Sequence, residues 1–299
     1  MKKETRVTTV GRDTNRNRGL VNTPVEHAST VLFDTVADLR NAVTHRNDVP
    51  YYGRRGTATQ VAFREAMCEL DGAAGCALYP SGVAAITTAI LAFVEAGDHI
   101  LMIDNVYEPS RVFCELGLKK LGIETSYYDP MAGEAIAKHF KPNTKLIFAE
   151  APGSLTFEVM DLPAIAKVAH AKGAIVLFDN TWATPLYFDG LGHGADVVIH
   201  AITKYIGGHS DLMMGAATAN EIAWPRLQRA TFMLGHCVAP DDVYLAARGL
   251  RTLAVRMDKH QENGLKLAEW LKGHPEIERV IHTAFNDCPG HDLWTRDFT

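Results

Sequence analysis

The stretch Asp196-Val197-Val198-Ile199-His200-Ala201-Ile202-Thr203-Lys204-Tyr205-Ile206-Gly207-Gly208-His209-Ser210 decides the fold. Its mostly apolar run, Val197 to Ile202, is too short for a helix and reads as a buried strand. The run ends in Thr203-Lys204, and a glycine pair follows. Open α/β sheets place their chemistry at the carboxyl edge of such strands. Burial there lowers an amine's pKa, because desolvation disfavours the charged form, and a neutral amine can attack a carbonyl to give a Schiff base. A lone lysine beside a Gly-Gly turn is ordinarily a surface residue, so the flanking segments carry the decision.

Outward from this strand the pattern is regular. Strand-like runs at Cys76–Tyr79, His99–Ile103, Glu124–Tyr128, Lys145–Ala149, Ile175–Phe178 and Met213–Thr218 alternate with helical segments at Val61–Leu70, Gly82–Val94, Pro109–Leu121 and Leu162–Lys172. Alternating β and α elements with apolar strands predict an α/β fold, a mainly parallel sheet between helices. After Ala223 the chain turns helical, with a long amphipathic stretch from Asp241 to about Leu271. Arg279-Val280-Ile281-His282 predicts the first strand of a further unit, and the sequence stops at Thr299 before that unit could form its own core. Residues 1–56 are polar and rich in Arg, Asn and Thr, so this segment is either mobile or docked on something larger. The expected organisation is therefore an N-terminal segment (1–56), a large domain (57–250), and a linker helix with the start of an incomplete C-terminal α+β domain (251–299).

The 299 residues are 47% hydrophobic and 22% charged, with a formal net charge of -5. That length supports one large or two ordinary domains. The mild negative charge argues against a nucleic-acid partner. No apolar run reaches membrane-spanning length, and no apolar segment follows the basic start, so neither a membrane span nor a secretory signal is expected. Five cysteines without any C-x-x-C read as reduced thiols of a cytoplasmic protein.

Several junctions could carry chemistry. Tyr79-Pro80-Ser81-Gly82-Val83 joins a strand to a helix; Gly82 admits close approach, and the helix N-terminus offers free N–H groups to an anion. Thr203 could add a hydroxyl to the same anion. Asp179 ends an apolar strand, where an acid is costly unless a cation meets it. The magnesium-holding acid of a nucleotide hydrolase would need a G-x-x-x-x-G-K-[ST] loop, which the sequence lacks. The protonated pyridine nitrogen of pyridoxal phosphate is the better partner, since aspartate keeps that ring positive and electron-accepting. Tyr107 could stack on a flat cofactor or be an ordinary sheet-edge residue. Tyr51-Tyr52-Gly53-Arg54-Arg55-Gly56-Thr57 could bind phosphate or carboxylate through its guanidinium groups, or form a solvated turn.

Three other patterns are set aside. Gly190-Leu191-Gly192-His193-Gly194-Ala195 precedes a strand, the wrong context for a dinucleotide fingerprint. Gly208-His209-Ser210 lacks the second glycine of a nucleophile elbow. The thirteen histidines show no metal-ligand spacing, so no metal site is expected.

The run Asp196–Ser210 resembles the cofactor-attachment signature of the Cys/Met-metabolism pyridoxal phosphate-dependent enzymes. Tyr52-Gly53-Arg54-Arg55-Gly56, Tyr79-Pro80-Ser81-Gly82, Asp179-Asn180-Thr181-Trp182 and Arg248-Gly249-Leu250-Arg251-Thr252-Leu253 match further blocks in the same order. Tyr107-Glu108-Pro109-Ser110 and Glu150-Ala151-Pro152-Gly153-Ser154 resemble the cystathionine β-lyase branch. The resemblance implies a fold-type I (aspartate aminotransferase-like) enzyme of methionine biosynthesis, a carbon–sulfur lyase releasing homocysteine, pyruvate and ammonia from L-cystathionine. It implies Lys204 as the residue holding the cofactor as an internal aldimine and as general base, with Lys204 or Tyr107 protonating the leaving thiolate. Asp179 would pair with the pyridine nitrogen and Tyr107 would stack on the ring. Gly82, Val83 and Thr203 would bind the phosphate, joined by Tyr52 and Arg54 from a neighbouring subunit of a dimer of dimers. Alternatives are a cystathionine γ-lyase, γ-synthase or methionine γ-lyase, and a truncated, non-catalytic chain that binds cofactor or subunits. The sequence departs from many relatives at Ala201, where they carry serine, and at Val112, where β-lyases often carry an acid. The arginine that binds the substrate α-carboxylate is expected in a C-terminal domain that residues 251–299 only begin.

Overall fold

A computed structural model describes residues 1–45 and 50–298 of the chain. Seven strands form one sheet: β1 (Gly75–Tyr79), β2 (His99–Ile103), β3 (Glu124–Tyr128), β4 (Thr144–Glu150), β5 (Ile175–Asp179), β6 (Val197–His200) and β7 (Gly215–Ala219). Their order is β1-β7-β6-β5-β4-β2-β3. Every residue of β1, β2, β6 and β7 is buried, as expected of strands covered on both faces, whereas β3 at the edge is largely half-exposed.

The sheet is parallel except for β7, which runs antiparallel to both β6 and β1. A parallel neighbour needs a crossover connection, and the chain between β6 and β7 contains only turns. It doubles back at the carboxyl end of β6, and Thr203 pins the base of the loop. The Thr203 hydroxyl donates to the Met214 carbonyl (3.1 Å) and accepts from the Met214 N–H (3.0 Å). The strands other than β7 therefore all end at one edge of the sheet, and the β6–β7 loop lies across it.

Helix starts follow local chemistry. Thr57 and Gln60 close a reciprocal capping box at the head of the helix Ala58–Asp71, which ends at Gly72 in a left-handed conformation (φ 67°). Ser81 accepts from the Ala84 N–H at the head of Gly82–Leu91, and Asp161 from the Ala164 N–H at the head of Leu162–Ala171. The sheet and its covering helices bury Phe148, Phe178, Ile90 and Leu101 in one core. Val7, Phe63, Met67, Met214, Leu250 and Met257 form a second beneath the N-terminal turns.

Three expectations change. The stretch from Asp241 is two helices, Pro240–Leu250 and Leu253–Lys272, separated at Arg251-Thr252. At the junction the Arg251 guanidinium donates to the carbonyls of Val7 and Val10. Arg279–His282 is not a strand, because no described segment pairs with it to complete a ladder. The N-terminal residues Val7 and Val10 are buried against their own chain, so part of segment 1–56 docks within the subunit. Leu20, Val21, Leu32 and Val36 beyond them are exposed, and positions 46–49 of that segment lie outside the described residues.

Candidate active site

The carboxyl edge of the sheet collects Ser81 after β1, Tyr107 after β2, Glu150 on β4, Asp179 on β5 and the turns after β6. Strand β6 stops at His200, two residues earlier than the apolar pattern suggests, so Lys204 sits in a turn and is exposed. The expected burial of its amine is not supplied by this chain's own residues. A series of hydrogen bonds fixes where that turn lies. Asn180 N–H donates to the Ile199 carbonyl (2.9 Å), and Ala201 N–H donates to the Thr181 hydroxyl (2.8 Å). Thr181 N–H in turn donates to Asp179 Oδ1 (2.9 Å). Lys204 N–H closes onto the Ala201 carbonyl (3.0 Å), which places the lysine one turn beyond the residue tied to the Asp179 loop.

Gly82 meets the same turn from the other side. A Cβ on Gly82 would lie 2.8 Å from the Ala201 Cβ, and one on Gly215 would lie 2.4 Å from the Ser81 carbonyl oxygen. The N-terminus of the helix Gly82–Leu91 is thus pressed against the Lys204 turn and the start of β7, with no room for side chains between them. Ala201 stands in this contact, so a serine at that position would aim its hydroxyl at the helix N-terminus.

Asp179 and Glu150 are each 8% exposed and occupy in-register positions at the ends of adjacent parallel strands. Burial pushes the Asp179 carboxyl up, against the opposing pull of the Thr181 hydrogen bonds and of His200. Burial, and then the negative charge of Asp179, push Glu150 up to about 8, while donors from Ser154 and Tyr107 pull the other way. Tyr107 N–H donates to Glu150 Oε2 (2.9 Å), and the Ser154 hydroxyl lies 2.6 Å from Oε1. The Tyr107 backbone is thereby fixed to β4, and its ring remains exposed. His200 is buried with Nε2 2.9 Å from Asp71, and Asp71 also accepts from the Thr218 hydroxyl. Arg256 reaches the turn after Lys204, donating to the carbonyls of Tyr205 (2.6 Å) and Gly249 (2.9 Å).

Lys204, Asp179, Gly82, Val83, Thr203 and Tyr107 therefore belong to one edge of the sheet. Tyr52 and Arg54 do not join them. Tyr52 bridges to Thr30, and Arg54 reaches the Phe232 carbonyl (3.4 Å). Arg54 also lines a cavity of about 1210 Å³ between the N-terminal segment and the helix Trp224–Met233. None of the sheet-edge residues lines that cavity. Among the described residues no hydrogen bond or ion pair links Tyr52 or Arg54 to Lys204, Asp179 or Gly82.

The edge fits pyridoxal phosphate. Asp179 is a buried carboxylate with no cationic side chain bonded to it among the described residues, which suits a pyridinium. The N–H groups of Gly82 and Val83 open a ten-residue helix beside the Lys204 turn, which suits a phosphate. Lys204 offers a primary amine and Tyr107 an exposed ring. The Thr203 hydroxyl already serves Met214 and could face a phosphate only through its remaining lone pair.

Sequence reading missed Glu150 as part of the site, although it carried the same signal as Asp179, an acid closing an apolar strand.

Comparison with known proteins agrees with this geometry. The chain is 46% identical over 301 residues to the Escherichia coli protein named cystathionine beta-lyase MetC, covering 100% of this chain and 76% of that one. It is 41% identical to a Wolbachia pipientis protein named L-alanine/L-glutamate racemase, again covering 100% and 76%. The crystal structure of metB from Corynebacterium glutamicum superposes with a TM-score of 0.94 at 31% identity, over 100% of this chain and 76% of that chain. The profile described as Cys/Met metabolism PLP-dependent enzyme matches residues 4–299, and the chain belongs to that family.

Proposed function

We propose that this protein is a cytoplasmic carbon–sulfur β-lyase that converts L-cystathionine and water to homocysteine, pyruvate and ammonia. The observation that carries this reading is the convergence of Lys204, Asp179 and the Gly82 helix N-terminus at one sheet edge, in a chain 46% identical to a protein named cystathionine beta-lyase. Lys204 would hold the aldehyde carbon of pyridoxal phosphate, and Asp179 the pyridine nitrogen. The N–H groups of Gly82 and Val83, with Thr203, would hold the phosphate, and Tyr107 would cover the ring face. When bound, the cofactor supplies an electron sink for the pair left behind when the substrate loses its α-proton.

The chain's own residues do the rest. Asp179 would hold the pyridine nitrogen through its carboxylate, on the loop tied to the turn that carries Lys204. Lys204 Nζ would take the substrate's α-proton, a contribution on the order of 10²–10⁴-fold for a positioned general base. Lys204 or Tyr107 then gives a proton to the departing sulfur. Tyr52 and Arg54 would complete the phosphate site of a neighbouring subunit, so the working unit would be a homo-oligomer, a dimer of dimers. That fits their separation from their own chain's site and the exposed apolar residues of the N-terminal segment. The large cofactor domain would span 57–250, with 1–56 contacting the neighbour and 251–299 beginning a second domain.

A product assay tests the reading. With L-cystathionine and added pyridoxal phosphate, the expected product is pyruvate with homocysteine. Release of 2-oxobutyrate and cysteine instead would identify cleavage on the γ-side. The racemase relative favours a second reading, in which Lys204 returns the α-proton to alanine or glutamate without cleaving a bond to sulfur. Racemisation without pyruvate release would establish it.

A further inference from the structure

Two buried carboxyl groups standing side by side with no cation bonded to either cannot both be charged without strong mutual repulsion. Among the described residues Glu150 and Asp179 are such a pair, in register at the ends of β4 and β5. Their surroundings distinguish them. Asp179 Oδ1 accepts the Thr181 N–H, and the charge interaction with His200, whose Nε2 is bonded to Asp71, weakly favours its ionised form. Glu150 Oε2 accepts the Tyr107 N–H, a bond that requires an oxygen acceptor and no proton. Glu150 Oε1 instead faces the Ser154 hydroxyl at 2.6 Å, and a hydroxyl can accept as readily as it donates. One proton has a place on Oε1, with Ser154 turning to receive it. On the β2 side Asp104 is exposed and paired with Arg111, and Glu158 is engaged by Asn105.

We propose that Glu150 is a positioning residue that remains protonated at neutral pH, leaving a single negative charge on Asp179 and holding the Tyr107 backbone through its carbonyl oxygen. The pair then presents one charge to one pyridinium. This inference rests on the proposed cofactor site, and its test separates the two. Carboxyl groups kept neutral by burial take up protons on folding, so the sign is fixed. The contribution is fully present below the ordinary carboxylate range and is lost as pH rises through about 8.

The measurement is urea unfolding of the cofactor-free protein and of Glu150→Gln from pH 5 to pH 9. The unfolding constant of the native protein, relative to that of the variant, is expected to rise by about 700-fold over this interval. A ratio independent of pH would overturn the proposal. Pyridoxal phosphate titrated into each protein at pH 7 gives a second readout. An amide replaces a neutral acid but not an anion, so affinities within about threefold are expected. A folded variant that binds about 100-fold more weakly would show that Glu150 acts as an anion. Should Glu150→Gln fail to fold, Asp179→Asn removes the second of the two causes that raise Glu150, the neighbouring charge, and leaves the larger one, burial. The pH dependence of unfolding should become shallower without vanishing, and an undiminished slope would contradict the proposal. If the native protein binds no pyridoxal phosphate, the cofactor reading fails while the unfolding arm still decides the proton.

Discussion

At the scale of single residues, Asp179 is the group on which cofactor affinity should depend most sharply. It is buried, and among the described residues its bonded partners are donors from its own loop. Truncating one member of a buried charge pair costs about 2–5 kcal/mol, much of it the penalty of leaving the other charge unmatched. Asp179→Asn, which keeps the shape and removes the charge, is expected to weaken pyridoxal phosphate binding by about 10²-fold in a spectroscopic titration; unchanged affinity would remove Asp179 from the site. Asp179 and Lys204 are legible in the sequence because one ends an apolar strand and the other follows an apolar run, positions that α/β sheets use for chemistry. Glu150 closes such a strand too, but its effect comes from lying beside Asp179, a pairing that no local pattern states. The apolar pattern puts Lys204 in the right loop but in the wrong surroundings, since strand length alone does not show that β6 ends at His200.

At the scale of elements, the Lys204 turn is braced from the helices behind it. The helix Pro240–Leu250 touches it at Gly249, where an added Cβ would lie 2.2 Å from the Ile206 carbonyl oxygen and 2.5 Å from that of Gly207. Both are backbone atoms, so the turn itself would have to move. Gly249→Ala is expected to cost about 1–3 kcal/mol, seen as a lower urea midpoint with an unchanged slope, and to weaken cofactor binding. Gly264, in the middle of Leu253–Lys272, has open space where a methyl group would stand, with nothing within 4 Å, so Gly264→Ala should stabilise by about 0.5–1 kcal/mol. Equal effects of the two changes would contradict the bracing role. Strands are the most legible elements, since buried runs such as His99–Ile103 begin and end where the apolar residues do. The break at Arg251-Thr252 is not legible, because neither position is a glycine or proline, and the bonds of Arg251 there go to the carbonyls of Val7 and Val10, more than two hundred residues away in sequence. The missing strand at 279–282 has the same origin: β-branched residues mark a strand only where a partner exists.

At the scale of the whole molecule, the sheet gathers its chemistry at one edge while the N-terminal segment faces elsewhere. Tyr52 and Arg54 share sequence signals with the cofactor residues but do not reach that edge, and Arg54 lies by a different cavity. A reading confined to one subunit would discard them, and a reading across subunits gives them a role. Among the described residues no helix is long and apolar enough to cross a membrane, and no cluster of His, Cys, Asp or Glu could hold a metal ion. What unites the fold, the charge pattern and the family membership is the amine of Lys204 at the edge of the sheet. Hydride reduction of the full chain loaded with pyridoxal phosphate fixes the cofactor to whichever amine holds it, and peptide mass mapping then locates it. The expected result is a single pyridoxyl adduct on Lys204, absent from Lys204→Ala; an adduct on another lysine, or none on the loaded protein, would contradict the assignment.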